Sequence, residues 1–135
     1  MEFSKFPTIP GMITSSNQLT IYHNPGCSKS RQTLDLLRER GLEPVVVLYL
    51  DDPPDEDSLR KILDILGLRP IDLMRTKESV FKNLGIGERD ENALDYDDKL
   101  VATMVANPVL IERPIVICGD QGRIGRPPEQ VLEII

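Results

Sequence analysis

Cys27 is the residue through which this chain could do covalent chemistry. It stands in Leu19–Arg31, LTIYHNPGCSKSR. There a short apolar run meets Asn24-Pro25-Gly26, a turn sequence, and a helical pattern opens at Ser28. A thiol in that place faces the first amides of a helix, which lack intrahelical partners and carry partial positive charge. Such amides favour a thiolate and can also cradle an oxyanion. Ser28 and Ser30 add hydroxyl donors, and Lys29 and Arg31 add positive charge. Cys27 to Ser30 is Cys-x-x-Ser, half of a Cys-x-x-Cys redox motif. It keeps the nucleophile without an adjacent resolving thiol, so a redox cycle would need an external one. A free cysteine is often buried and inert, but the flanking Pro, Gly, Ser and Lys weigh against that here.

His23 is the single histidine. It stands just before the turn, where it could polarise the cysteine, hydrogen-bond the loop, or be a strand-end histidine satisfied by backbone. Cys118 closes the apolar run Pro114–Cys118 and reads as a packed core thiol. Two cysteines form neither a disulfide framework nor a zinc-ligand set, so no metal is expected.

The elements that must carry Cys27 follow from periodicity and breakers. A strand is predicted over Leu19–His23 and a helix over Ser28–Arg40, with Gly41 as its stop. Glu43–Leu50, EPVVVLYL, reads as a buried strand, so the first third forms a βαβ unit with a right-handed crossover. After Asp51-Asp52-Pro53-Pro54 comes an amphipathic helix over Glu56–Leu66. A short helix is read near Pro70–Arg75, Thr76–Asp90 has no clear pattern, and a third long helix is read over Tyr96–Ala106. Pro114–Cys118 reads as a second buried strand, Gly119–Gly122 as a turn, Arg123–Gly125 as an antiparallel return, and Pro127–Ile135 as a last helix. Residues 1–17 read as a loose leader, or as an extension ahead of a start near Met12, and 18–135 as one domain.

The totals restrict the function classes. The chain has 135 residues, enough to bury a core without staples. A formal net charge of −6 argues against a general nucleic-acid or membrane-surface binder. Three Phe, three Tyr and no Trp give no support to base stacking. No stretch approaches the roughly 18 apolar residues of a membrane span, and no secretory signal is evident. Sparse cysteine fits a reducing compartment, so the cytoplasm is the expected location.

The pattern His23-Asn24-Pro25-x-Cys27-x-x-Ser30-Arg31 resembles the signature of the glutaredoxin-coupled arsenate reductase family. Leu48-Tyr49-Leu50 with Pro53-Pro54, Leu73-Met74-Arg75, Glu112-Arg113-Pro114-Ile115-Val116 and Arg123-Ile124-Gly125-Arg126-Pro127 extend the likeness over Leu19–Ile135. Cys-Ser-Lys-Ser-Arg with Gly-Arg-Pro-Pro-Glu is similar to a chromosomal branch of that family. The resemblance implies an α/β, thioredoxin-like fold: β-α-β, a helical insertion, then β-β-α, with a small mixed sheet flanked by helices. It implies that Cys27 is the nucleophile that bonds to arsenic, that His23 supports the thiolate, and that Arg75, Arg113 and Arg126 surround the arsenate, with Ser28 and Ser30 as further substrate contacts. Arsenate, glutathione as co-substrate and glutaredoxin are the implied partners, with no bound cofactor. The fold analogy also implies a cis Arg113–Pro114 bond. Chemically the set is coherent, because guanidinium forks match a tetrahedral oxyanion and keep their charge. Taken singly, each arginine would read as solvated surface. Arg31 and Arg123 are left as solvent or secondary contacts. Two rivals stand beside this reading. One is a glutathione-dependent reductase of another substrate. The other is a non-catalytic, protein-binding relative of the redox-sensing transcription regulators, whose usual Cys-x-x-Cys is broken here by Ser30.

Overall fold

The computed structural model of the chain describes residues 18–135, and the expected leader, 1–17, lies outside them. β1 (Leu19–His23) leads through the Asn24-Pro25-Gly26 turn into α1 (Ser28–Glu39). β2 (Val45–Leu48) returns parallel to β1, with Thr20 opposite Val45 and His23 opposite Leu48. α1 stops where Gly41 takes a φ of 77°, a conformation that costs glycine no Cβ clash. The helical insertion holds α2 (Glu56–Leu66), α3 (Pro70–Leu73), α4 (Ser79–Asn83) and α5 (Tyr96–Ala106). β3 (Ile115–Cys118) lies antiparallel to β1 and β4 (Gln121–Ile124) antiparallel to β3, giving the sheet order β2-β1-β3-β4. This is the expected thioredoxin-like α/β arrangement, a small mixed sheet flanked by helices.

Alternation along the strands splits the core into two layers. Ile21 and Val116 point to one face, where Leu34 and Leu37 of α1 meet Val131 and Ile134 from the C-terminal segment. Ile115, with Tyr22 and Ile117, points to the other, against Leu59, Ile62 and Leu63 of α2 and Leu100 and Met104 of α5. α2 buries its apolar stripe and is capped by Asp55, whose carboxylate accepts from the Ser58 amide at 2.8 Å.

Three local expectations are corrected, and one stretch without a clear pattern is assigned. Glu43–Leu50 is not a buried strand: β2 is shorter and forms the sheet edge, with Val45 48% and Leu48 41% exposed. The β-branched run reports strand preference, and apolar content alone does not distinguish an edge from a centre. The hairpin is tighter than predicted, because Cys118 pairs with Gln121 and leaves Gly119 and Asp120 as its loop. The last segment, Pro128–Ile134, is a 3₁₀-helix, and its buried residues Pro128, Val131 and Ile134 recur every three positions, the period of that helix. The unpatterned stretch Thr76–Asp90 holds α4 and a 3₁₀ turn at Ile86–Glu88, anchored by buried Phe81 and Ile86.

Candidate active site

Cys27 is the N-cap of α1, with extended backbone (φ −104°, ψ 124°). Its amide donates to the Asn24 carbonyl at 3.0 Å, and its own carbonyl accepts the first helical bond from the Arg31 amide at 3.0 Å. The turn is braced twice more: the Gly26 amide donates to Asn24 Oδ1 at 2.9 Å, and Arg31 Nη1 to the Pro25 carbonyl at 2.7 Å. Arg31 therefore supports the turn. Cys27 is 9% exposed. Burial pushes the thiol up. The Arg113 guanidinium, the amides of Ser30 and Lys29, and the Arg113 charge outweigh it, holding the thiol below its ordinary value. Arg126 Nη2 is 3.5 Å from Sγ.

His23 and Ser30 form a layer beneath the turn. His23 Nδ1 and Ser30 Oγ are 2.6 Å apart, and Ser30 Oγ also accepts from the Asn24 amide at 3.0 Å. Both residues are buried. Burial pushes the His23 imidazole down, and the charges of Arg38 and Arg31 push the same way, against Asp35. A neutral imidazole in this place braces the loop through Ser30 and adds no positive charge to the sulfur. The Ser30 hydroxyl is spent on His23 and Asn24, so Ser30 turns its amide, and not its side chain, to Cys27. Ser28 is exposed on the first turn.

Three separate segments deliver the arginines. Met74 has left α3 and pairs with Ile111 in an isolated antiparallel bridge. The Arg75 amide donates to the Leu110 carbonyl at 2.7 Å, and the Glu112 amide to the Leu73 carbonyl at 2.8 Å. This stitch sets Arg75 beside Glu112. Arg113 enters β3 through a cis bond to Pro114, as the fold analogy implies, and Arg126–Pro127 is cis as well. Gly125 packs so closely that an added Cβ would meet Thr33 Oγ1 at 2.5 Å and Pro114 Cγ at 2.9 Å, so any other residue here would separate α1 from the loop carrying Arg126.

The guanidiniums converge on carboxylates that the sequence did not single out. Arg75 Nη1 donates to Glu112 Oε1 at 2.6 Å and its Nε to Glu78 Oε2 at 3.1 Å. Arg126 Nε donates to the Arg113 carbonyl at 2.8 Å and lies 3.1 Å from Glu112 Oε1. Tyr49, buried just beyond β2, brings its hydroxyl to Arg113. Burial pushes this phenol up and Arg113 opposes the shift. Among the described residues, the Tyr49 hydroxyl and Arg113 Nε are the buried side-chain polar atoms with no hydrogen-bond partner. Arg75, Lys77, Glu78, Glu112 and Arg126 line a pocket of about 300 Å³.

Cys27, Arg113 and Arg126 are therefore in one place, with Arg75 joined through Glu112, while His23 and Ser30 support them from behind. Glu78 was recoverable as an acid three positions after Arg75, whereas Glu112 and Tyr49 carry no local signal. Cys118 pairs with Leu19 at the opposite end of β1, about 13 Å of strand from the Cys27 turn, and Arg123 pairs with Glu133 away from the cluster. A low-pKa thiol among guanidiniums can attack an electrophile that carries negative oxygens.

Known proteins resemble this chain over most of its length. An Escherichia coli protein named "Uncharacterized protein YfgD" is 51% identical over 121 residues, 89% of this chain and 98% of that one. An "Arsenate reductase" of Haemophilus influenzae is 44% identical over 116 residues, 85% of this chain and 97% of its own. The structure titled "Arsenate reductase from Vibrio cholerae" superposes with a TM-score of 0.80 at 49% identity, covering 87% of this chain and 98% of that chain. The model of the ArsC family matches residues 22–134, from the strand before Cys27 to the last 3₁₀ turn, and the chain belongs to that family.

Proposed function

We propose that the chain reduces arsenate to arsenite through a Cys27–arsenic intermediate, with glutathione and glutaredoxin as reductants. The observation that carries this is the placement of Cys27 Sγ at a helix start, 3.5 Å from Arg126 Nη2 and under the charge of Arg113. Relatives named arsenate reductases support it. The Cys27 thiolate attacks arsenic(V), and one arsenate oxygen leaves as water after protonation. The arginines hold the remaining oxygens while this happens. Glutathione then bonds its sulfur to arsenic as a second oxygen, taking up the thiol proton, leaves as water. A glutaredoxin thiolate takes that sulfur as a mixed disulfide, leaving two electrons on arsenic. Water releases arsenite from Cys27, and the thiolate is restored. The cycle uses no bound cofactor, and its reductants belong to the cytoplasm. Cys118 stands too far away to act as an internal resolving thiol, which favours external thiols.

The test is arsenate reduction with glutathione and glutaredoxin, wild type beside Cys27→Ser. Turnover is expected in the wild type and none above background in the variant. Equal rates would sink the proposal, and oxyanion binding without turnover would favour a glutathione-dependent reductase of another substrate.

A further inference from the structure

We infer that Glu112 is a positioning residue: by accepting from Arg75 and lying against Arg126 Nε, it holds both guanidiniums in place before a ligand reaches Cys27. The inference rests on the oxyanion reading of the Cys27 site. One oxygen carries the arrangement. Glu112 Oε1 accepts from Arg75 Nη1 at 2.6 Å and from the Arg113 amide at 3.2 Å, and it lies 3.1 Å from Arg126 Nε. Three segments that are distant in sequence meet on that atom: the chain after α3, the entry to β3 and the loop after β4. The Arg75 and Glu112 side chains are 22% and 25% exposed, so water screens them only in part.

A count of donors shows what is left for a ligand. A guanidinium has five N–H donors and no acceptor. Arg75 spends Nε on Glu78 and one Nη1 hydrogen on Glu112. Arg126 spends Nε on the Arg113 carbonyl and directs Nη2 to Cys27. The remaining hydrogens are oriented before any anion arrives. A free arginine would have to surrender its rotamer freedom on each binding event, and a held one avoids that cost.

A carboxylate inside an anion site could act otherwise, as a counter-charge that competes with the ligand. The two roles move the observables in opposite directions. Removing a competing negative charge lowers the thiol pKa and tightens anion binding. Releasing the arginines raises the thiol pKa and weakens anion binding.

The experiment uses the full chain in a Cys118→Ala background, so that iodoacetamide reads Cys27 alone. It compares Glu112 with Glu112→Ala and the isosteric Glu112→Gln. The readouts are the pH midpoint of alkylation and the protection of Cys27 by arsenate and by inorganic phosphate. Glu112→Ala is expected to raise the midpoint and weaken protection about tenfold, the loss of one charge-assisted hydrogen bond. Glu112→Gln, which keeps a carbonyl acceptor, is expected to move both the same way by less. A midpoint that stays or falls, or protection that stays or tightens, overturns the proposal. So does a wild type protected by neither anion. Alkylation is read without turnover, so a failure of the arsenate reaction itself is seen separately, in the reductase assay.

Discussion

Two sets of arginines in this molecule form similar bonds in different surroundings. The outer set lies on the helical insertion. Arg60 of α2 bridges Glu56 at 3.0 Å and Asp98 of α5 at 2.9 Å, and Arg69 reaches Asp97 at 3.0 Å. These arginine side chains are 41% and 55% exposed, so water and salt weaken each pair. The inner arginines Arg75 and Arg126 are 22% and 34% exposed and share one carboxylate oxygen between them. Arg113 acts on the thiol through a hydrogen bond and its charge, and its buried Nε has no hydrogen-bond partner. The outer arginines are matched by carboxylates of their own. The inner ones keep donors in reserve around a nucleophile, and unspent hydrogen-bonding capacity in a buried place is where a ligand gains most.

The largest break in that comparison is expected at Arg113. Arg113→Ala removes both the hydrogen bond and the charge that hold the Cys27 thiol down. The alkylation midpoint of Cys27 should move up, and kcat/KM for arsenate should fall roughly 100- to 1,000-fold, the usual loss for a preorganised donor at a developing charge. Arg113→Lys should recover little of this, since an ammonium cannot reproduce the planar fork. An unchanged midpoint in Arg113→Ala would place the inner set on the same footing as the outer one.

Much of this organisation is legible in the sequence, for reasons that differ by residue. Cys27 at the head of a helix follows from turn chemistry and helical period, both local. The amphipathic α2 and α5 and the β1-α1-β2 order follow from the same signals. The edge placement of β2 does not, because Val45-Val46-Val47-Leu48 has the composition of a central strand and sheet order is a long-range property. α4 is five residues long, too short for a period to show. Arg113 and Arg126 came from motif resemblance, and their meeting depends on the β3–β4 hairpin and the closeness of Gly125 to Thr33. Glu112 opens the motif Glu112-Arg113-Pro114-Ile115-Val116, yet its bond to Arg75 spans 37 positions. The bridge between Met74 and Ile111 that makes this bond possible has no local signature.

A smaller effect should sharpen the boundary of the inner set. Tyr49 is 1% exposed, and its hydroxyl faces Arg113 without a formed hydrogen bond. Tyr49→Phe removes a buried polar atom that has no partner, so stability should hold or rise by up to about 1 kcal/mol in urea unfolding. Activity should go the other way, with kcat/KM down about threefold, if the phenol steadies Arg113 when the site is loaded. A variant both less stable and equally active would make Tyr49 a packing residue and end the inner set at the arginines and their carboxylates.

The smallest effect belongs to the outer set, and it decides whether exposure is the variable that separates the two. Arg60→Ala with Arg69→Ala removes three ion pairs, one within α2 and two that tie α2 and the start of α3 to α5. Apolar packing of Leu59, Ile62 and Leu63 against Leu100 and Met104 already holds these helices together. Both guanidiniums have their charge stabilised by their partners, first by the Asp98 hydrogen bond for Arg60 and the Asp97 hydrogen bond for Arg69. Arginine is protonated throughout the accessible pH range in any case, so that stabilisation changes no charge state. The double variant should therefore match the wild type in thermal melting, in the pH midpoint of Cys27 alkylation and in kcat/KM, at low salt as at high. A melting loss confined to low salt would show that the outer pairs act as a network. A shift of the Cys27 midpoint would show that charge reaches the thiol from the insertion, and exposure alone could then no longer explain why only the inner arginines govern the sulfur.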